Sequence, residues 1–252
     1  MSNDQVTTDS VVLLYKGGRL PSWHLLTDAE RDDYQRQHVD LMLEVARDSG
    51  LIGLEGFRLL APQQSWERFW TIEFPDMAGA EAWIKAEMAP PYGSFGYYEY
   101  YLSRRFEREL YDSWVGHKPT AVTTDLTGDA RTVPALDVDR SSAVMLMFAR
   151  MAAGADRATA IARGDAEHDE RMRELARETD LMRFEAFALI GPQADWHRAW
   201  IAEFPTVEGA EAWIQGEAKP PHGAYATKVF QLARKWAPDY FALWSASAQR
   251  AE

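Results

Sequence analysis

Apolar positions in this chain fall into short runs and helically spaced segments, and the order of these segments predicts the fold. Val11–Tyr15 is an apolar run with β-branched residues, closed by two glycines, and predicts a first strand. Thr27 and Glu30 form a capping-box pattern at the start of a helix. Apolar residues then recur at helical spacing until Gly50, where the predicted helix ends.

Two strands, a second helix and a fourth strand are predicted to follow. Pro75 stops the third strand, and Asp76 can cap the second helix. The predicted elements are the strands Leu54–Leu60, Arg68–Phe74 and Tyr97–Ser103 and the helix Ala78–Met88. The resulting order, βαββαβ, predicts a ferredoxin-like unit with two helices on one face of an antiparallel sheet.

The same pattern occurs twice. Trp66–Gly93 recurs as Trp196–Gly223, with more than half of the aligned positions identical, which indicates a tandem duplication. The second set of predicted elements comprises the strands Ala143–Phe148, Phe184–Ile190, Arg198–Phe204 and Thr227–Ala233 and the helices Arg163–Thr179 and Glu208–Glu217. We therefore expect a first repeat over 1–117, a linker over 118–139 and a second repeat over 140–252.

The alternation of the third strand assigns its two faces. Trp70, Ile72 and Phe74 form the apolar set that packs beneath the helices. Glu73, and Glu203 in the second repeat, then lie on the opposite face. Because helices cover only one face of such a sheet, the bare faces of the two sheets can cover each other. The predicted fold class is α+β, with two tandem ferredoxin-like βαββαβ domains whose antiparallel sheets pack face to face.

Composition narrows the classes of function. The chain is 46% hydrophobic and has a net charge of −12 at pH 7. Nucleic-acid binding needs a basic face, so we expect no nucleic-acid partner. The sequence has no cysteine, which excludes disulfides and thiolate metal sites. The polar N-terminus and the lack of a long apolar run predict neither a signal peptide nor a membrane span, and hence a cytoplasmic protein.

The duplicated stretch carries a family resemblance. Ile72–Pro75 followed by Ala80–Trp83, with the twin pair Ala202–Pro205 and Ala210–Trp213, resembles the strand–helix signature of the dimeric α/β-barrel superfamily. This resemblance implies that the two halves form one barrel, as a pseudo-dimer within a single chain. Members include cofactor-independent monooxygenases, polyketide cyclases, isomerases and, in a tandem branch, haem enzymes. The resemblance therefore implies the fold more strongly than the chemistry.

The first helix of the first repeat is similar to the EthD-like branch of this superfamily. In that branch an aromatic residue precedes a histidine by one helical turn, as Tyr34 precedes His38 here. The second repeat departs from this pattern, because Gly164 stands ahead of His168 in place of the aromatic residue.

His38 and His168 are candidate catalytic residues because they occupy equivalent positions of the two repeats. Each has apolar neighbours at helical spacing. Histidine titrates near neutral pH and can act as a general acid or base where its helix borders a cavity. The alternative is a core histidine that bonds a backbone carbonyl and was retained by duplication.

Glu73 and Glu203 form a second candidate catalytic pair. A carboxylate on the cavity face of a strand can acquire a raised pKa and remove a proton from an acidic C–H or a phenol. The structural alternative is that each glutamate pairs with a nearby arginine such as Arg58, or caps the turn at the following proline.

Positions at which the repeats differ supply further candidate site residues, because two half-cavities can diverge in function. The differing pairs are Glu67/His197, Tyr92/His222, Tyr98/Lys228 and Tyr101/Gln231. We add His197 to the catalytic set. The predicted substrate-binding set is His222, Tyr92, Tyr97, Tyr101 and Tyr34. Drift on a solvated surface would produce the same differences.

No cofactor is predicted. The histidines and glutamates named above are ligand types for zinc, iron or copper, but no pair has a short ligand spacing, so we expect no metal site. Haem and a divalent metal stay open as alternatives, haem because of the tandem branch of the superfamily. No Walker loop, GxGxxG or GxSxG motif occurs.

The sequence thus predicts an enzyme that binds a small apolar or aromatic molecule, or a polyketide-like one, between helices and sheet. General acid–base chemistry would make it a lyase, isomerase, cyclase or cofactor-independent monooxygenase, since each of these reactions begins with proton removal. The alternatives are a haem- or metal-dependent oxidoreductase and a non-catalytic ligand-binding or assembly protein. A homodimer stays open as the assembly.

Overall fold

A computed structural model describes residues 10–63, 66–116, 126, 128–151, 157–193, 196–220, 222–224 and 226–250. The first repeat forms β1 (Val11–Arg19), α1 (Asp28–Asp48), β2 (Gly53–Leu59), β3 (Arg68–Phe74), α2 (Met77–Glu87), β4 (Gly96–Arg105) and a short helix, α3 (Arg108–Asp112). The second repeat forms β5 (Val138–Met151), α4 (Arg157–Glu178), β6 (Arg183–Gln193), β7 (Trp196–Phe204), α5 (Val207–Ala218), β8 (Ala226–Trp236) and α6 (Pro238–Gln249). The predicted order βαββαβ is present in both.

Each repeat has the strand order of a ferredoxin-like sheet. The neighbours run β4-β1-β3-β2 in the first repeat and β8-β5-β7-β6 in the second. The registers are antiparallel and equivalent, because Tyr15 faces Trp70 across β1 and β3 as Met147 faces Trp200 across β5 and β7. Tyr15 of the first repeat therefore corresponds to Met147 of the second.

Strand β1 is longer than predicted, since the glycine pair does not end it. Gly17 lies within the strand, paired with Arg68 and Tyr98 on either side. A Cβ atom at this position would lie 2.6 Å from the hydroxyl of Tyr15 and 2.9 Å from the ring of Trp70. Glycine leaves room for those rings, and the strand continues to Arg19.

The helices pack on one face of each sheet, as the alternation of the third strand predicted. Trp70, Ile72 and Phe74 belong to the core beneath α1 and α2. The ring of Phe74 lies 5.7 Å from that of Trp83 on α2, and the equivalent rings of the second repeat are also 5.7 Å apart. The scaffold positions that duplication preserved are thus the ones that join helix to sheet.

The chain divides into two compact units that do not follow the repeats at their ends. The first unit comprises Thr8–Ser103, Thr123–Asp139 and Lys235–Glu252, and the second includes Arg104–Val122 and Arg140–Arg234. Each repeat therefore contributes the tail behind its fourth strand to the core of the other unit. The predicted domain limits mark the duplicated sequence, whereas the compact units exchange these tails.

The exchanged tails contain the helices α3 and α6. On the first unit, Phe241 and Trp244 of α6 join the core that contains Trp83, and the rings of Trp83 and Trp244 lie 6.3 Å apart. On the second unit, Trp114 follows α3 and packs 6.2 Å from Trp213. Each tail thus places a tryptophan against the duplicated tryptophan of a helix, Trp83 or Trp213. No helix in the described ranges is long and apolar enough to span a membrane.

Replacement of Trp244 by alanine is expected to lower the free energy of unfolding by about 3–5 kcal/mol, because it removes a buried ring whose site cannot fully collapse. Trp244 is buried against the first-unit core. Urea denaturation followed by circular dichroism measures the change. Leu25→Ala is the control, since Leu25 is 86% exposed and its truncation should change stability by no more than about 0.5 kcal/mol. Equal stability of the two variants would show that α6 does not anchor this core.

Candidate functional site

A cavity of about 180 Å³ lies in the first unit, between the helices and the sheet. Its lining combines aromatic rings with a small set of ionisable groups, as ligand sites commonly do. The ionisable residues are Tyr15, Arg19, His38, Arg68, Glu87, Tyr92 and Tyr240. Val133 and Leu136 also line it, so part of the predicted linker forms a wall of the site.

His38 and Glu87 meet at the centre of this group. Helix α1 begins at the predicted capping box, in which Thr27 and Glu30 bond each other reciprocally, and its buried side carries His38. Glu87 ends α2 one turn after Trp83, on the same side of that helix. Nε2 of His38 lies 3.3 Å from Oε2 of Glu87. Packing of the two helices thus creates a buried histidine–carboxylate pair.

The Glu87 carboxyl is stabilised in its ionised form. Burial by itself raises its pKa, but the charge of His38 and the hydrogen bond from His38 outweigh burial, with Arg19 and Tyr15 adding to them. The pKa of Glu87 therefore lies below its ordinary value. An ionised carboxylate accepts the proton of Nε2, which leaves the lone pair of a neutral His38 on Nδ1.

Tyr15 supports the same carboxylate from the sheet. Its hydroxyl donates to Oε1 of Glu87 at 3.5 Å, and its ring stacks on Trp70 at 4.7 Å and on Tyr100 at 4.5 Å. Burial, and then the charge of Glu87, raises the pKa of Tyr15 well above its ordinary value. The phenol therefore remains protonated at neutral pH and acts as a donor.

The ring of Tyr92 packs between the side chains of His38 and Arg19. Its ring stacks on that of His38 with centroids 3.8 Å apart, and the guanidinium of Arg19 lies 3.8 Å from its centroid. Two groups at this distance cannot share one face, so they occupy opposite faces of the ring. Arg19 also lies over Trp23, at 4.4 Å. Burial lowers the pKa of Arg19.

Arg68 brings a second guanidinium to the cavity from β3. Burial, followed by repulsion from Arg19, lowers the pKa of Arg68 to about 10. Its Nε lies 3.1 Å from Glu67, and the guanidinium lies 4.8 Å from the ring centroid of Trp236. Both arginines are still charged at neutral pH, and they lie close enough to repel each other.

The second unit repeats the histidine–glutamate pair in a different electrostatic setting. Nε2 of His168 lies 3.6 Å from Oε2 of Glu217. Lys228 contacts the same carboxylate and donates to the backbone oxygen of Glu217 at 3.0 Å, while Arg171 lies 3.0 Å from Nδ1 of His168. Both nitrogens of this imidazole thus have polar neighbours, and a permanent cation neutralises the glutamate.

Among the predicted site residues, the structure brings His38 and Tyr92 together in the cavity. Tyr34 lies one turn before His38 and stacks on Phe95 at 6.1 Å, outside the lining. His168 belongs to the equivalent pair of the second unit. His197 is exposed, and the side chain of His222 lies outside the described part of the chain.

Tyr97 and Tyr101 lie on the opposite side of β4 from the cavity. Their hydroxyls both donate to Glu99, which pairs with Lys16 at 2.8 Å. Tyr98 and Tyr100 alternate with them and face the helices, within the core that contains Tyr15. Period two therefore divides the predicted tyrosine cluster between two faces.

Glu73 and Glu203 also lie away from the cavity lining. Each accepts a hydrogen bond of 2.7 Å from a serine of its own repeat. The donor to Glu73 is Ser10, immediately before β1, and the donor to Glu203 is Ser142, within β5. These bonds tie the end of the third strand to the first strand. Arg58, considered as a partner of Glu73, instead pairs with Glu67 at 3.1 Å.

Glu87 and Glu217 are not among the site residues predicted from the sequence, although a signal for them was present. Both occupy the same position of the duplicated stretch and are identical between the copies. Glu87 follows the buried Trp83 by one helical turn, so its side chain must face the core. A glutamate on the buried side of a helix needs a partner, and the duplicated histidine supplies one.

Metal binding has no support in the described ranges, where no three His, Asp or Glu side chains gather as a ligand cluster. The partner groups around His38 are a carboxylate, two phenols and two guanidiniums, of which only the carboxylate is a ready ligand for a hard cation.

No protein-family model matches the chain, and neither does any curated protein. Solved structures do resemble it. A substituted chlorite dismutase from Candidatus Nitrospira defluvii superposes with a TM-score of 0.63 at 14% sequence identity, over 96% of this chain and 97% of that one. The chlorite dismutase of that organism in complex with imidazole has a TM-score of 0.63 at 13% identity, over 96% and 97%.

A third structure, a substituted form of that chlorite dismutase in complex with cyanide, has a TM-score of 0.60 at 12% identity, over 96% of this chain and 97% of that chain. At such low identity the likeness shows the fold. It confirms the tandem ferredoxin-like architecture of the dimeric α/β-barrel type that the sequence predicted. The closer resemblance to the EthD-like branch stays a prediction.

Replacement of Glu87 by glutamine is expected to destabilise the protein by about 3 kcal/mol at pH 6, because it leaves buried partners of a carboxylate without their charge. The loss should shrink as the pH falls below 4.5, the ordinary value for this group. There the unfolded chain takes up a proton while the folded Glu87, with its lowered pKa, remains ionised. Urea denaturation at a series of pH values measures this.

Glu81→Gln is the matched control, because Glu81 lies on the same helix and is exposed. Its effect should be small at every pH tested. A Glu87→Gln penalty that grows as the pH falls below 4.5 would contradict the ionised, stabilised carboxylate.

Proposed function

We propose that this protein is an enzyme that moves a proton on a small aromatic molecule held in the first-unit cavity. His38 is the general acid–base, and Glu87 fixes its tautomer and balances the imidazolium that forms. The observation that carries the proposal is the 3.3 Å contact between Nε2 of His38 and the buried carboxylate of Glu87, at the edge of an aromatic-lined cavity. The same division of roles operates in the histidine–aspartate part of serine hydrolases.

The proton transfer follows from the tautomer that Glu87 selects. With Nε2–H donated to the carboxylate, Nδ1 of His38 has a lone pair and accepts a proton from an acidic C–H or phenolic O–H of the substrate. The substrate becomes an enolate or phenolate, and His38 becomes a cation beside Glu87. The imidazolium can then return the proton to another atom of the substrate, which gives isomerisation, or to a leaving group, which gives elimination.

The size of the cavity favours a substrate with a compact ring. A cavity of about 180 Å³ lies below the range of roughly 300–1,000 Å³ for drug-sized ligands. A cavity of roughly 150 Å³ in another protein takes up benzene. The walls here include Trp70, Trp83, Trp236 and Trp244. One aromatic ring with small substituents matches this volume and surface.

The two units differ in a way that favours the first as the reactive one. In the second unit Lys228 neutralises Glu217, and Arg171 adjoins the nitrogen of His168 that would need its lone pair for catalysis. In the first unit a phenol, Tyr15, takes part in holding Glu87. The first-unit imidazole therefore retains a carboxylate whose charge is available to it.

Haem is the alternative that the shared fold raises, since the tandem branch of the superfamily contains haem enzymes. The described residues do not fit it. Iron needs an unengaged histidine nitrogen facing an open slot for a flat macrocycle. Nδ1 of His38 has a lone pair, but the first-unit cavity of about 180 Å³ lies below the roughly 300–1,000 Å³ of drug-sized ligands and offers no slot for a macrocycle. Both nitrogens of His168 have polar neighbours.

His38→Asn is expected to lower catalysed proton exchange by about 100-fold or more, the usual contribution of a general acid–base. The measurement is deuterium incorporation from D₂O, followed by NMR, into 2-tetralone, 1-indanone and phenylpyruvate. These compounds combine an aromatic ring with an acidic C–H. Exchange reports proton removal without requiring the natural reaction to be known.

His168→Asn is the matched control, which should retain most of the exchange activity of the wild type. Equal losses in both variants, or full activity of His38→Asn, would contradict the assignment. Binding of the probes without any exchange would favour the non-catalytic ligand-binding alternative. A Soret band in protein purified from haem-replete cells would favour the haem enzyme.

A further inference from the structure

The first-unit cavity has an excess of positive charge. Its lining includes the guanidiniums of Arg19 and Arg68, whereas Glu87 is the only acidic residue among the lining residues. Glu87 already serves His38 and Tyr15. The protein as a whole has a net charge of −12, so the sign of the cavity is opposite to that of the chain.

Glu67, the acidic partner of Arg68, also pairs with a second arginine, Arg58. Glu67 places Oε1 3.1 Å from Nε of Arg68 and Oε2 3.1 Å from Arg58, so one carboxylate faces two guanidiniums. No carboxylate of the described residues lies within salt-bridge distance of Arg19, but the charge of Glu87 acts on it. The guanidinium of Arg19 lies on the rings of Tyr92 and Trp23. Arg19 and Arg68 thus approach one cavity and share the carboxylates of Glu87 and Glu67 with a third guanidinium, that of Arg58.

Burial of such a cationic pair is costly unless a counter-charge completes it. The repulsion is present in the structure, because Arg19 contributes to the lowered pKa of Arg68. A bound anion would relieve it, and a carboxylate would do so best, because its two oxygens match the donors of a guanidinium.

The other walls define the body of the ligand. Tryptophan rings and Phe241 provide flat apolar surfaces. The indole Nε1 of Trp83 is buried and has no hydrogen-bond partner among the described residues, so it can donate to a polar substituent of a ligand. A compact aromatic ring with a carboxylate and a further polar group would satisfy these surfaces together.

We propose that the ligand of the first-unit cavity is a small aromatic carboxylate, bound through its carboxylate by Arg19 and Arg68 and through its ring by the tryptophan walls. The inference rests on the proposed function only for what happens to the bound molecule, namely the removal of its acidic hydrogen by His38. The anion preference itself requires no catalysis.

The second repeat has one arginine at the two positions that are Arg19 and Arg68 in the first repeat. By the register of the first strands, Arg19 corresponds to Met151 and Tyr15 to Met147. Arg198 corresponds to Arg68 and lies 4.2 Å from the ring of Phe106, as Arg68 lies over Trp236. Arg198 therefore offers a matched control for Arg68.

The test compares benzoate with its neutral analogue benzamide, by quenching of tryptophan fluorescence and by calorimetry at pH 7.5. The wild type is expected to bind benzoate at least tenfold more tightly than benzamide, because only benzoate neutralises the guanidiniums. Equal affinity for the two, or binding of neither at millimolar concentration, would overturn the proposal. This comparison needs no variant and so does not depend on how a substitution folds.

Arg19→Met and Arg68→Met, which keep most of the apolar stem, should each weaken benzoate binding about tenfold and leave benzamide binding unchanged. Arg198→Met should change neither. Loss of benzoate binding in Arg198→Met alone would place the anion in the second unit and refute the assignment.

His38→Asn separates this inference from the proposed function. It should retain the preference for benzoate while losing proton exchange. An anion preference without exchange in the wild type would leave the ligand class standing and refute the enzyme. Exchange of neutral 2-tetralone without any preference for benzoate would support the enzyme and refute the aromatic carboxylate as its ligand.

Discussion

A buried carboxylate between the two helices of each repeat is the constraint on which this structure depends. Glu87 and Glu217 end the buried faces of α2 and α5, where an unpaired charge would be strongly destabilising. Each must therefore meet a partner from the first helix, and the duplicated histidines meet it. The units then differ in the third group, since Lys228 neutralises Glu217 while Tyr15 donates to Glu87. That difference separates an ion cluster around Glu217 from a histidine–carboxylate pair around Glu87.

The exchanged tails determine what surrounds the pair. In the first unit α6 brings Tyr240, Phe241 and Trp244 to the cavity, together with Trp236 at the end of β8. A glycine in β2 makes this possible, because a Cβ at Gly56 would lie 2.9 Å from the ring of Phe241. The aromatic wall of the first site thus comes from the far end of the chain, and duplication alone does not specify it.

The sequence predicted the elements that local chemistry controls and missed those that depend on distant residues. The capping box at Thr27 and the bounds of β3 were predicted, because each depends on residues that are close together in the sequence. The predicted end of β1 was wrong. Gly17 does not form a turn; it leaves room for the rings of Tyr15 and Trp70. His38 was a candidate from its duplication, but Glu87, Arg19 and the α6 wall join it only through tertiary packing. No periodicity within one segment could bring them together.

A shared fold and a shared buried pair do not settle the chemistry of either half. Chlorite dismutases superpose on this chain over nearly its whole length, at sequence identities that leave the site residues free to differ. Within the chain, the two repeats show how little is needed for such a difference. They keep the histidine, the glutamate and the packing of helix on sheet. The exchange of Tyr98 for Lys228 nevertheless puts a lysine in contact with Glu217, whereas Glu87 contacts His38 and Tyr15 and feels only the more distant charge of Arg19. The charge that surrounds the pair, more than the fold that positions it, is therefore what distinguishes the two repeats.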